Sequence, residues 1–377
     1  MPRAIFITGY PGFIAGQLLH RFLSEPETTV RLLVIPAMRG AAEAARDALP
    51  EGRDRTEIVL GDITRPQLGL DEATRRRLAE EVDTVYHLAA IYDLATPHAI
   101  SRLVNVTGTE HVLDFCESLP RLSRLIYFST AYVSGTRTGR VLEDELEQAR
   151  SWKNYYELTK WEAEVAVRAR WSRIPTVIIR PGVVSGDSRT GEINKYDGPY
   201  FIIRTLVALE QKGWVRWSRY FWYGGRETRF YMVPVDFICD ATEYLAKKPG
   251  AAGKAYHVLP NPPVRMGELA AAMFACFGVK PPPYSAPPWL GKLSFKMFPA
   301  LSRALELPPE VFAYMKHDVE YDTRNLDAAL AGSGIHCPAP CDCVPAMVDF
   351  VRKHPEIPAN FGANATSLRE KVTTTAS

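Results

Sequence analysis

The first half of the chain alternates short apolar runs with stretches of helical spacing. "AIFITG" (4–9) has the unbroken apolar character of a strand buried on both faces, and "PGFIAGQLLHRFLSE" (11–25) follows with helical periodicity. The alternation continues through "VRLLVI" (30–35), the Ala-rich helical stretch 40–49, "TEIVLGDI" (56–63), a charged helix and "DTVYHLAA" (83–90). A long helix (101–118), the strand "SRLIYFST" (123–130), a helix over 152–170 and the strand "PTVIIRPGVV" (175–184) complete it. Strands alternating with helices predict an α/β fold with a doubly wound parallel sheet.

Beyond about residue 185 the pattern changes. Aromatics, Pro and Gly crowd into "KYDGPYF", "WVRWSRYFWYGG" and "KPPPYSAPPWL", with one more strand-like run, "GKAYHVLP" (253–260). The end, "KVTTTAS", is polar. Hydrophobic residues make up 46% and charged residues 23%, as in a soluble globular protein, and no apolar run is long enough to span a membrane. A net charge of +2 gives no nucleic-acid footprint. The opening "MPRAIFITGYPGF" runs straight into a strand without a signal-peptide pattern. The expected setting is therefore cytoplasmic and reducing, with the six cysteines as free thiols.

Gly9-x-x-Gly12-x-x-Ala15 follows the first strand and opens the first helix. Glycines there permit a sharp turn and let a pyrophosphate reach the free N–H groups of a helix start. Asp62 ends the third strand, where a carboxylate can bond an adenine amino group or simply close a turn. No acid follows the second strand, which would bond the ribose hydroxyls of NAD. Arg39 stands there instead, suited either to a 2′-phosphate or to solvent, so NADP (NADPH) is favoured over NAD.

Tyr156 and Lys160 are an i,i+4 pair and share a helix face, whereas Tyr155 points about 100° away. An ammonium beside a phenol stabilises the phenolate and eases proton exchange. Ser129 and Thr130 end the fifth strand, and alternation lets one of them face the cleft. Asn105 interrupts the apolar run Leu103, Val104, Val106, as a bridge near the lysine or as a structural Asn.

Taken together, these motifs resemble an extended short-chain dehydrogenase/reductase. T-G-x-x-G-x-x-A (8–15), G-D-I (61–63), H-L-A-A (87–90), N-V-x-G-T (105–109), S-T-A-Y-V-S-G (129–135), Y-x-x-x-K (156–160) and R-P-G-V-V-S-G (180–186) occur in family order. "STAYVSG" and "VPVDFICDA" (233–241) resemble the male-sterility type branch of fatty acyl-CoA and thioester reductases. The resemblance implies a Rossmann-type dinucleotide-binding domain over 1–185 and a smaller mixed substrate domain over 186–357. Within the latter, 226–260 would partly return to the sheet, and 358–377 would be a tail. It implies Thr130 as carbonyl-binding hydroxyl, through alignment of Gly135, Tyr156 as acid/base and Lys160 as its electrostatic partner. It also implies cofactor contacts from Thr8, Gly9, Gly12, Phe13, Ile14, Ala15, Arg39, Asp62, Ile63, Leu88, Ala89, Ala90, Asn105, Tyr156, Lys160, Pro181, Gly182 and Val183. Ile35 stands where that branch often has arginine.

The expected function is NADPH-dependent reduction of a hydrophobic ketone, aldehyde or acyl thioester. The alternatives are a sugar-nucleotide epimerase or dehydratase and a non-catalytic nucleotide-binding regulator. The aromatics of 195–223 suit an apolar pocket or a core. Residues 287–307 carry Trp289, Leu293, Met297, Leu301 and Leu305 at i+4 steps, favouring a lid or core over a membrane-surface helix. His336, Cys337, Cys341 and Cys343 cluster, but C-x3-C-x-C is not the usual zinc spacing, so no metal is expected. Monomer and homodimer both remain open.

Overall fold

The computed structural model describes residues 3–92, 96–216, 225–282 and 319–357, together with residues 289, 290, 293 and 297. Seven strands form one parallel sheet: β1 (Ala4–Thr8), β2 (Thr29–Val34), β3 (Thr56–Leu60), β4 (Thr84–His87), β5 (Arg124–Phe128), β7 (Thr176–Pro181) and β11 (Lys254–Val258). Their order is β11-β7-β5-β4-β1-β2-β3. The order reverses beside β1, and the crevice at such a switch point is where open α/β sheets bind ligands. Three small pairs complete the strands: β6 (Gly139–Val141) with β13 (Val319–Tyr321), β8 (Val183–Ser185) with β10 (Met232–Pro234), and β9 (Arg229–Phe230) with β12 (Val264–Arg265).

Side-chain alternation along β1 sends Ile5 and Ile7 to one face and Phe6 to the other. The first face is covered by α1 (Phe13–Leu23), α8 (Val235–Lys247) and the helix Arg324–Leu330, through Leu18, Phe22, Ile238, Leu245 and Leu326. Ala42 of α2 (Arg39–Asp47) joins them. The second face is covered by α3 (Glu72–Glu81), α5 (Gly108–Glu117) and α6 (Tyr155–Arg168), through Leu78, Val112, Leu113, Ala163 and Val167. Each fully buried Leu, Ile or Phe in these layers contributes on the order of 2 kcal/mol.

A separate core joins α7 (Pro199–Gln211), α9 (Met266–Ala275) and the helix Pro340–Lys353. Tyr196, Tyr200 and Phe201 are buried, and the first two stack at 5.7 Å. Packing, rather than an open apolar pocket, uses these aromatics. Trp214 is exposed, and Trp217 through Tyr223 lie outside the described residues. Trp289, Leu293 and Met297 are exposed, while Leu301 and Leu305 lie outside the described residues.

The structure redraws three sequence expectations. The helix over 101–118 is α4 (His98–Arg102), a π-helical turn (Leu103–Thr107) and α5. The strand over 175–184 divides at Gly182, because Val183 leaves the main sheet to pair with Met232. Beyond 226–260, residues 326–330 also return to the main sheet's core. Residues 254–258 join the main sheet at β7, and Leu326, Ala329 and Leu330 pack into the sheet's first core. Cys337 packs against that first core, whereas Cys341 and Cys343 belong to the separate one. All six thiols are free. No helix among the described residues is long and apolar enough to cross a membrane.

Candidate active site

The parallel sheet brings the loop after β1 and the loop after β5 to the same edge. Gly9 has φ +91°, and a Cβ there would lie 2.8 Å from the Ala89 nitrogen and 2.9 Å from the Leu88 carbonyl carbon. A Cβ on Gly12 would lie 2.6 Å from the Gly9 oxygen, so the turn closes on itself and on the end of β4. α1 begins at Phe13 with no side-chain cap and no acid in its first turn, which leaves N–H groups suited to an anion. The cradle therefore fits a dinucleotide pyrophosphate. Ala15 is buried, and Phe13 and Ile14 pack against the core. Gly9→Ala is expected to destabilise the protein by about 1–3 kcal/mol, given the left-handed backbone and the close approach. It should also weaken dinucleotide binding. Thermal unfolding and cofactor titration check this, and an unchanged midpoint and affinity would refute it.

A directional chain of hydrogen bonds holds the end of β4. Thr109 donates its proton to the Asn105 oxygen (2.6 Å), so it accepts from His87 Nε2 (3.0 Å). His87 Nδ1 then accepts from the Thr8 hydroxyl (2.7 Å), which accepts from the Ala89 N–H (3.1 Å). Burial, reinforced by nearby Lys160, pushes the His87 pKa down to about 3, so the ring is neutral as this chain requires.

Asn105 lies in the π-helical turn and is buried. Its Oδ1 accepts from the Ile91 N–H (2.8 Å), and its Nδ2 donates to the Ile91 oxygen and the Thr159 hydroxyl (both 3.0 Å). It thus ties the segment following β4 to the residue preceding Lys160, a bridging role carried by the Ile91 backbone and the Thr159 side chain. Asp62 Oδ1 accepts from the Thr64 N–H (2.8 Å) and hydroxyl (2.7 Å), the turn-closing role. Ile63 is buried, and its carbonyl accepts from His111 Nδ1 (2.8 Å). Arg39 opens α2, is exposed, and pairs with Glu43 at 2.8 Å. Ala90 is exposed beyond Leu88 and Ala89.

Asn154 caps α6 by accepting from the Glu157 N–H (3.0 Å), and Lys153 Nζ donates to the Gly135 carbonyl (3.0 Å), seating the helix against the β5 loop. Tyr155 is exposed and stacks on His98 at 5.0 Å. Tyr156 turns inward, and the neighbouring Thr130 hydroxyl favours its ionised form. Thr130 also contacts the Pro181 carbonyl at 3.4 Å. Past Gly182, the Val183 N–H donates to the Tyr231 carbonyl at 2.9 Å. Ser129 points the other way and donates to Glu164 Oε2 at 2.6 Å. The geometry thus separates the two hydroxyls that the strand end offers, and Thr130 is the one beside the phenol.

Lys160 departs from the expected arrangement. Its Nζ donates to the Phe128 carbonyl at 2.5 Å and lies 4.5 Å from the Tyr127 ring centre. Burial pushes its pKa down to about 7, with Glu164 opposing. Burial pushes the Tyr156 phenol up to about 12, against the pull of the Thr130 hydroxyl. In this structure desolvation outweighs any lowering by the lysine, and Tyr156 rests as a protonated phenol.

Sequence reasoning missed the network beneath these groups. Glu164 pairs with Arg180 (2.6 Å) and Arg168 (2.9 Å), and Arg180 is fully buried. The clues were present: Glu164 is one further turn along the Tyr156–Lys160 face, and Arg180 is a lone cation in an apolar strand.

Known proteins resemble this chain in sequence and in fold. The male sterility protein family model matches residues 7–242. An aldehyde reductase of Aspergillus flavus is 29% identical over 275 residues, covering 68% of this chain and 26% of that protein. The L-2-aminoadipate reductase large subunit of Penicillium chrysogenum is 28% identical over 311 residues, covering 76% and 21%. The chain therefore spans about a quarter of the length of these curated relatives. The terminal R domain from the myxalamid PKS-NRPS biosynthetic pathway has a TM-score of 0.79 at 27% identity, covering 94% of this chain and 92% of that one. A UDP-glucuronic acid 4-epimerase from Bacillus cereus shares the fold, with a TM-score of 0.64 at 18% identity, covering 93% and 99%. With this membership comes NAD(P) binding on a Rossmann-type fold. The chain belongs to the male sterility protein family, within the extended short-chain dehydrogenases/reductases.

Proposed function

We propose that this chain reduces the carbonyl of a hydrophobic ketone, aldehyde or acyl thioester with NADPH, in a cytoplasmic setting. The neighbouring Thr130 and Tyr156 hydroxyls carry the reading, because they sit at the same end of the sheet as the glycine cradle. The reductase names of the relatives support a carbonyl or thioester substrate.

Bound NADPH supplies the hydride to the carbonyl carbon. Thr130 and Tyr156 hold the carbonyl oxygen, and Tyr156 gives it a proton. A phenol kept protonated by burial suits this direction, since the resting group is already the acid. Lys160, anchored on Phe128, braces the end of β5 beside them. Exposed Arg39 supplies a planar donor fork to a 2′-phosphate once it leaves Glu43.

The test is an NADPH-oxidation screen over ketones, aldehydes and acyl thioesters of graded chain length, with NADH in parallel. Net NADPH consumption is expected, with a preference over NADH that Arg39→Ala reduces by about 10-fold, the loss of one charge-assisted contact. Conversion of a sugar nucleotide without net NADPH consumption would favour an epimerase. Inertness toward the whole panel would favour a nucleotide-binding regulator.

A further inference from the structure

Tyr92 lies two residues beyond the small-residue end of β4, next to Ile91, whose backbone Asn105 grips on both sides. Its ring meets the Tyr156 ring edge-on, with centroids 6.4 Å apart and planes at 73°. Lys195 Nζ lies 3.7 Å from the centre of the Tyr92 ring, within cation–π range. The Tyr92 hydroxyl donates to Asp197 Oδ2, and Lys195 Nζ is 3.7 Å from that same oxygen. Lys195 and Asp197 belong to the segment entering α7, where the Asp197 carbonyl accepts from the Tyr200 N–H at 3.0 Å. Tyr92 therefore ties the nucleotide half to the substrate half beside the phenol.

We propose that Tyr92, held by Asp197 and Lys195, is a substrate-positioning residue that walls the carbonyl site and selects the group attached to the carbonyl carbon. The inference rests on the reductase reading above. The two tyrosine rings are in edge contact, which sets Tyr92 at the border of a carbonyl site centred on Tyr156. A ring fixed at its edge, face and hydroxyl presents one shape to that substituent. A ring released at the hydroxyl can turn.

The experiment is a double-mutant cycle on kcat and KM, using the best substrate of the carbonyl panel and one differing in bulk next to the carbonyl. Tyr92→Phe is expected to lower kcat/KM by about 10-fold, mostly through KM, as for loss of one hydrogen bond to a charged group. It should also narrow the ratio between the two substrates. Asp197→Ala should reproduce both effects, and the double variant should be no worse than either single one. Asp197→Asn keeps an acceptor oxygen and should stay within about 3-fold of wild type. NADPH affinity should stay unchanged throughout.

Additive losses, an unaltered substrate ratio, or a loss tracking NADPH affinity would overturn the latch while wild-type turnover kept the reductase reading. A wild type inert on the whole panel would remove both.

Discussion

Replacing Tyr156 with phenylalanine should lower turnover by about 10²- to 10⁴-fold, the range expected for loss of a positioned general acid. The ring and its edge contact with Tyr92 would persist, so NADPH should still bind with near wild-type affinity. Cofactor titration and initial rates on one preparation separate the two effects. Tyr155→Phe is the control. Its side chain is 50% exposed and packs on His98, so its change should be several-fold at most. Near-normal turnover by Tyr156→Phe would remove the proposed acid. Equal losses from the two variants would point to a folding defect rather than chemistry.

Glu164→Gln should cost about 3–5 kcal/mol, because it strands a fully buried guanidinium beside a neutral amide. For a chain of this size that lowers the unfolding midpoint by roughly 4–6 °C. The variant also disturbs the acceptor of Ser129, one residue before Thr130, so kcat should fall with stability. The pH dependence has a definite sign. Burial raises the Glu164 pKa, but Arg180 and Arg168 more than offset it and hold the carboxyl at about 2, below its ordinary 4.5. A depressed carboxyl stabilises the fold fully above its unfolded value, and the contribution is lost as pH falls from about 4.5 toward 2. Acid unfolding of Glu164→Gln should show a shallower loss through that window. A midpoint within about 2 °C of wild type would show that the pair is not structural support.

Much of this architecture is local, and local features were legible in the sequence. The alternation of apolar runs and helical stretches anticipates the sheet because each strand is buried by helices on both faces. The spacing of Tyr156 and Lys160 separates the inward tyrosine from the outward one because a helix turns about 100° per residue. What stayed hidden depends on chain segments that meet only in the folded protein. Tyr92 and Asp197 are 105 positions apart, and nothing near either residue marks the other. Glu143 accepts from the backbone N–H groups of His257, Asn325 and Leu326, so the start of the helix Arg324–Leu330 is capped from outside its own sequence. The i,i+4 relation brings Lys160 to the phenol's face, but the Phe128 carbonyl decides where its nitrogen points. The π-helical turn at Asn105 was visible only as one polar residue in an apolar run.

The bonded row from Ala89 to Asn105 makes the sheet end a partition for protons. The row's basic lone pair, on His87 Nδ1, is already occupied by the Thr8 hydroxyl, and every donor in it is committed in one direction. Lys160 is not part of that row: its Nζ donates to the Phe128 carbonyl instead. The closed row and the lysine thus form two separate polar systems on either side of the β4–β5 seam, and only the lysine shares a helix face with Tyr156.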